Sequence, residues 1–283
     1  MKINQDTVFA VIGLGLLGGS MAKGLHQAGF QVIGIDIDPA AIEYGLETGW
    51  ITRGGMDASL ISDADIVISC LYPKAFIKWV KENGKYFKKN AVLTDVTGVK
   101  RAVIGAVNEA LPEGIEFIAG HPMAGREFKG IRYADSGRFL TANYIITPTE
   151  NNTQQAVDTV YEMARILNFA HIAVLTPAEH DRMIAFLSQL THIIAVSLMN
   201  AEDNSELAEY TGDSFRDLTR IARINEDLWP ELFVSNKDLL LEEVDKFIHE
   251  ITLFRDMIAD EDIQGMREKL LISTERRAAF DKR

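Results

Sequence analysis

Along the first half of the chain short apolar runs alternate with amphipathic stretches, and along the second half they do not. The runs at residues 8–12, 31–35, 64–71, 91–96, 116–120 and 143–147 are short enough for strands and rich in the β-branched residues that strands favour. Between them, residues 39–48, 74–87, 100–111 and 153–167 repeat apolar positions at the helical period, and a short strand follows at 171–174. Strands alternating with helices predict βα units and a parallel sheet. After residue 175 only helical patterns remain, at 177–201, 215–223, 230–260 and 264–279. The first of these opens on Thr176-Pro177-Ala178-Glu179, a capping box with proline at the first helical position. The pattern therefore predicts an α/β chain of two parts. A doubly wound parallel sheet spans residues 1–174, and an all-α domain with long apolar faces (Leu239, Leu240, Phe247, Ile248, Ile251, Phe254) spans 175–283.

The first apolar run ends in Gly13-Leu14-Gly15-Leu16-Leu17-Gly18, a G-x-G-x-x-G that leads into a helix. Each glycine answers a different need: a sharp turn at Gly13, close approach of backbone to a pyrophosphate at Gly15, and tight helix–strand packing at Gly18. The second run ends in Asp36, placed to accept hydrogen bonds from the adenosine ribose. This is the fingerprint of a Rossmann-type dinucleotide domain. Asp36 is followed by Ile37-Asp38-Pro39, with no Lys or Arg before Arg53, so a 2′-phosphate meets no cation and NAD is the expected cofactor. The cofactor-side candidates are Gly13, Gly15, Leu16, Leu17, Gly18 and Asp36, with Leu71 and Asp95 at the carboxyl ends of the next strands.

Composition narrows the partners. A net charge of −12 over 283 residues argues against nucleic acid and makes local arginines the place to seek an anion site. The single cysteine, Cys70, lies in an apolar run and excludes an intrachain disulfide. No apolar stretch is expected to approach the length of a membrane span, and the first residues run into a strand without a secretory core, so a cytoplasmic protein is expected. No metal-ligand spacing stands out.

Three places could carry chemistry. His121, at the carboxyl end of a strand on the cofactor side, suits a general base, or else a loop histidine bonded to backbone. On the helix at 177–201, Asp181, Ser188 and His192 share a narrow arc at ~100° per residue, with His180 close by. Such groups either satisfy one another in a core or line a cleft. Arg216, Arg220 and Arg223 stand at i, i+4 and i+7 and form either a carboxylate clamp or a solvated face paired with Asp217, Glu226 and Asp227.

Taken together, GLGLLGGS, TDVTGVK, HPMAGREFKG (with Glu127 and Gly130), the SQLTH helix and FRDLTRIA…DLW resemble the prephenate/arogenate dehydrogenases of tyrosine biosynthesis. The resemblance spans Gly13 to Trp229 and implies NAD-dependent oxidative decarboxylation of prephenate to 4-hydroxyphenylpyruvate, or of arogenate to tyrosine. It implies that His121 is the catalytic base, that His180 and His192 are the helix histidines of the site, and that Arg220 and Trp229 bind substrate. Ser188 joins them as a substrate-side candidate. Where the family has an active-site serine this chain has Gly98, and Thr97 is the nearest hydroxyl to replace it. Asp213 is a candidate for recognising the amine of arogenate, or else a helix N-cap. A homodimer through the helical half is expected. No βαββαβ pattern for a regulatory domain follows, so inhibition by tyrosine would act at the active site. Two other readings stand beside this one. A 3-hydroxyacid-type dehydrogenase needs a lysine that the helix at 177–201 lacks, and an NAD-binding sensor would show no turnover.

Overall fold

A computed structural model describes residues 2–125 and 128–281, so Arg126 and Glu127 of the HPMAGRE motif lie outside the described residues. The first strands and helices follow the sequence closely: β1 (Val8–Ile12), α1 (Leu16–Gln27), β2 (Gln31–Ile35), α2 (Pro39–Glu47) and β3 (Arg53–Gly55). Then come β4 (Ile66–Ser69), α3 (Pro73–Asn83), β5 (Val92–Asp95), α4 (Arg101–Asn108), β6 (Glu116–Pro122), β7 (Asn143–Thr147), α5 (Gln154–Ile166) and β8 (His171–Val174). The edge strand β3 has no counterpart in the apolar pattern, because it is three residues long and two are glycine.

The strands form one sheet in the order β3-β2-β1-β4-β5-β6-β7-β8. Strands β1 to β6 are parallel, whereas β7 runs antiparallel to β6, and β8 is parallel to β7. The expected doubly wound sheet is thus present and parallel-dominated, with β7 and β8 running against β1 to β6. Parallel neighbours need a crossover that returns the chain to its starting end. The segment between β6 and β7 contains 3₁₀ turns at Ile131–Tyr133 and Ser136–Thr141 but no helix among its described residues. The sheet is covered on both faces. Met21 and Leu25 of α1 pack with Val160 and Met163 of α5 on one side, and Phe76 and Val80 of α3 with Val103 and Val107 of α4 on the other. Truncating a fully buried leucine such as Leu25 to alanine costs about 2–5 kcal/mol.

The strand grammar ends where the sequence says it does. Helices α6 (Pro177–Ile184) and α7 (Thr191–Asn200) are joined by a π turn at Ala185–Leu190, and α8 (Asp213–Thr219), α9 (Leu228–Ser235), α10 (Lys237–Ala259) and α11 (Ile263–Ala278) follow. The run Pro177–Asn200 is long and apolar enough, by length and composition alone, to cross a bilayer, which corrects the expectation that no stretch approaches that length. It nevertheless carries the buried polar side chains of His180, Asp181 and Gln189, each hydrogen-bonded within the protein. The expected single helix at 230–260 is broken at Asn236. This residue leaves helical geometry and is fully buried, donating to Asp181 O and Gln189 Oε1 at 2.9 Å each.

The expected boundary after residue 174 marks a change of element type. By contacts, the chain forms one compact unit up to Asn236 and a second from Lys237 onward. The second unit is α10 and α11, bridged by Lys269 and Glu250 at 2.7 Å, with Leu241, Ile248, Ile251, Leu270 and Leu271 exposed.

Candidate active site

The glycine turn is shaped for a dinucleotide. Gly13 has φ +87° and donates from its N–H to Ile35 O, which ties the turn to β2. A Cβ at Gly18 would stand 1.8 Å from Gly13 O, so this packing admits only glycine, whereas a Cβ at Gly15 would meet nothing within 4 Å. The backbone at Gly15 is therefore open to a ligand. Among the described residues no side chain caps the N-terminus of α1, and its first N–H groups, Leu16 and Leu17 among them, remain for phosphate oxygens. Leu71 follows β4 and packs against Gly13. The Asp36 carboxylate accepts from Leu14 N at 2.5 Å and from Asp38 N at 2.8 Å, which fixes it beside the turn where a ribose would lie. These residues fit NAD.

Asp95 does not belong with them. It is fully buried, its oxygens accepting from Lys100 Nζ at 2.8 and 2.9 Å and from the N–H groups of Thr97 and Gly120 at 3.0 Å. The Asp95 carboxylate holds the ends of β5 and β6 together behind the cavity, so its expected contact with cofactor is corrected. Thr97 is corrected for the same reason. Its buried hydroxyl donates to Asp95 Oδ2 and lies 3.0 Å from Val99 O, which turns it away from the cavity. The position facing the cavity is Gly98, where a Cβ would stand 3.9 Å from His121 Nε2 and 3.5 Å from Leu232.

At the carboxyl ends of the strands lies a cavity of about 690 Å³, lined by Leu17, Gly98 and His121 on the sheet side. Ser188, His192, Arg220, Arg223 and Trp229 line it from the helices. The imidazole near the carboxyl end of β6 and the guanidiniums thus share one cleft. His121 Nδ1 lies 2.8 Å from His180 Nε2, and His180 Nδ1 lies 2.8 Å from Asp181 Oδ1. Burial, then His180, then Lys100 hold the His121 pKa well below the usual histidine range. Burial also lowers His180, against the opposing pull of Asp181. Burial alone would raise Asp181, but hydrogen bonds from His180 and from the Arg101 and Lys100 backbone outweigh it and hold the carboxyl below its ordinary value. The resting pair is therefore two neutral imidazoles beside a carboxylate.

The π turn explains why the expected helical arc is only partly right. His180 and His192 are twelve residues apart, about 120° out of phase on an unbroken α-helix. A π turn absorbs one extra residue and reduces the difference to about 20°. Ser188 and His192 thereby come to the cavity side with His180 rather than with Asp181, which points instead at the start of α4. His192 Nδ1 lies 2.8 Å from Ser188 O, and its ring packs against Trp229 at 3.7 Å between centroids with the planes tilted by 32°.

The arginine stripe divides. Helix α8 stops at Thr219 and the chain tightens into a 3₁₀ turn at Arg220–Ala222, so the spacing from Arg216 no longer follows one helix face. Arg220 and Arg223 line the cavity, whereas Arg216 pairs with Asp213 at 3.3 Å. Asp213 is 94% exposed, lies outside the cavity lining and caps nothing, which corrects both roles considered for it. Asp181 takes the buried, partner-satisfying role that was one of its two readings, whereas Lys100, Gln189 and Asn236 are site-supporting residues that the sequence did not single out. Only a buried charge with no apolar partner to replace it, as at Lys100, could have signalled them.

Comparison with known proteins agrees with this architecture. The prephenate dehydrogenase nucleotide-binding domain matches residues 21–174, and the prephenate dehydrogenase dimerization domain matches residues 176–271. A prephenate dehydrogenase from Bacillus subtilis is 31% identical over 275 residues, covering 94% of this chain and 74% of that protein. A cyclohexadienyl dehydrogenase from Zymomonas mobilis is 28% identical, covering 97% of each chain. The crystal structure of prephenate dehydrogenase from A. aeolicus in complex with hydroxyphenyl propionate and NAD+ superposes with a TM-score of 0.90 at 25% identity, over 99% of this chain and 100% of that one. The chain belongs to the prephenate dehydrogenase family.

Proposed function

We propose that the chain catalyses the NAD-dependent oxidative decarboxylation of prephenate to 4-hydroxyphenylpyruvate. The observation that carries this reading is the single cavity in which a neutral imidazole, His121, faces the cations of Arg220 and Arg223 beside the glycine turn. NAD, when bound, accepts the hydride that leaves the ring carbon bearing the hydroxyl.

His121 Nε2 points to the Gly98 side of the cavity, where a substrate hydroxyl can donate to it and surrender its proton. Loss of the ring carboxylate as CO2 restores aromaticity, so that step asks for no acid from the protein. Arg220 and Arg223 hold the carboxylates, with the planar fork suited to bidentate pairing. The closely packed His192 and Trp229 rings offer aromatic surface to the substrate ring, and Ser188 lines the same cavity. Among the described lining residues the carboxylate is Glu226, 3.8 Å from Lys129, so cations outnumber anions around the substrate. That balance favours a doubly charged keto acid over the zwitterionic side chain of arogenate.

Two copies associate through the helical part, in keeping with the family's dimerization domain and the exposed apolar side chains of α10 and α11. The test is NADH appearance at 340 nm on mixing the protein with NAD and prephenate, with arogenate and NADP as parallel arms. Absence of turnover with both substrates would refute the reading. Light scattering at micromolar concentration gives the subunit number.

A further inference from the structure

Asp181 is adjacent to the histidine that touches the base, and it is fully buried. Its Oδ1 accepts from Lys100 N at 2.8 Å and lies 2.8 Å from His180 Nδ1, while its Oδ2 accepts from Arg101 N at 2.9 Å and Arg101 Nε at 3.3 Å. A carboxylate surrounded by donors can only accept, so His180 must carry its proton on Nδ1. A neutral His180 then presents a lone pair at Nε2. His121, 2.8 Å away, must answer with Nδ1–H, which leaves the His121 lone pair on Nε2, on the cavity side.

We infer that Asp181 is a positioning residue which, through His180, fixes the tautomer of His121 and stabilises the positive charge that His121 gains in each turnover. The proton taken from the substrate stays on His121 Nε2. The His121 Nδ1–H bond strengthens toward His180, whose far side is already tied to an anion, and Asp181 itself takes no proton. The inference rests on His121 acting as the base. Other charged groups around the pair are Asp95, Lys100 and Arg101 on the sheet side, with His192, Lys129, Arg220, Arg223 and Glu226 around the cavity. Among the described residues no other carboxylate is hydrogen-bonded to either ring, so Asp181 is the one whose removal should be felt.

The test is Asp181→Asn in the full chain. An amide can offer its N–H to His180 and reverse the whole chain of tautomers, so kcat is expected to fall by ~100-fold or more. Losing the anion also makes either imidazolium harder to form, so the acid limb of the kcat/KM profile should move to lower pH. A fall in kcat with the limb unmoved, or moved up toward the ordinary histidine value near ~6.5, would mean only a loosened site and would overturn the inference. So would unchanged kcat. If the variant does not fold, His180→Gln and His180→Leu replace it: glutamine still accepts from His121, and equal activity of the two sinks the proposal. Ring ¹⁵N spectra of the resting wild-type protein give a readout independent of turnover. Protonated Nδ1 on both histidines is expected, and His121 protonated on Nε2 overturns the inference even if prephenate proves not to be the substrate.

Discussion

The two walls of the cavity are built in opposite ways. Behind the wall that carries His121, the side chains of His180 and Asp181 from α6 and of Asp95 and Lys100 beside the sheet are fully buried and held by several hydrogen bonds each. On the helix side Arg220 and Arg223 are exposed, at the end of a short helix and on the turn after it. The difference follows the work asked of each wall. A proton moves a fraction of an ångström, so its acceptor must be set in advance, and burial does that at the cost of needing every partner satisfied. Capturing a mobile anion in a chain of net charge −12 asks instead for reach and charge, which exposed guanidiniums supply.

The contrast can be broken from either side. Lys100→Met leaves Asp95 buried without its cation and is expected to cost about 3–5 kcal/mol of stability, read as a lower denaturation midpoint. A cost below about 1 kcal/mol would show that the pair is not the strut it is taken for. His121→Asn should lower kcat by ~100-fold or more while NAD affinity changes little, and wild-type turnover would remove His121 as base. Arg220→Ala should raise KM for prephenate by about tenfold with kcat nearly kept, and high salt should blunt the difference. Arg216→Ala, on the face turned away, is the matching control and should change neither.

Acid sharpens the comparison. His121 and His180 have depressed pKa values in the folded chain, so the stability associated with keeping them neutral is present above their ordinary value near ~6.5. It is lost as pH falls below that value toward their folded values, and the depressed Asp181 adds a loss at lower pH. Thermal unfolding should therefore drop on acidification below pH ~6.5 in the wild type and less so in His121→Asn. The smallest expected effect is at Gly98. A serine there meets only ordinary van der Waals distances, so stability should stay within about 1 kcal/mol, and any change in kcat reports on a hydroxyl beside Nε2.

What could be read from the sequence was what local chemistry dictates. The glycine turn, Asp36, His121 and the capping box at Thr176 each depend on residues within a few positions of one another, and each stands where the pattern places it. The errors concern direction. Asp95, at the end of β5, and Thr97, in the loop after it, are of the right type in the right place, but their side chains turn inward toward Lys100, a partner whose burial no local pattern announces. Asp213 and Arg216 satisfy each other outside the cavity because a 3₁₀ turn interrupts the helix they were counted on. The antiparallel β7 and the break at Asn236 both depend on distant partners as well.

The π turn at Ala185–Leu190 also bears on how this chain can vary. Phe186 and Leu187, within it, are about half exposed, and the helix there holds one residue more than its pitch requires. Shortening the chain by Leu187 would convert the bulge to ordinary helix without rotating what lies beyond it, so the far histidine would keep its bearing. Lengthening it by one would swing everything downstream about a quarter-turn or more out of aim. Indels in this helix should thus be tolerated in one direction only.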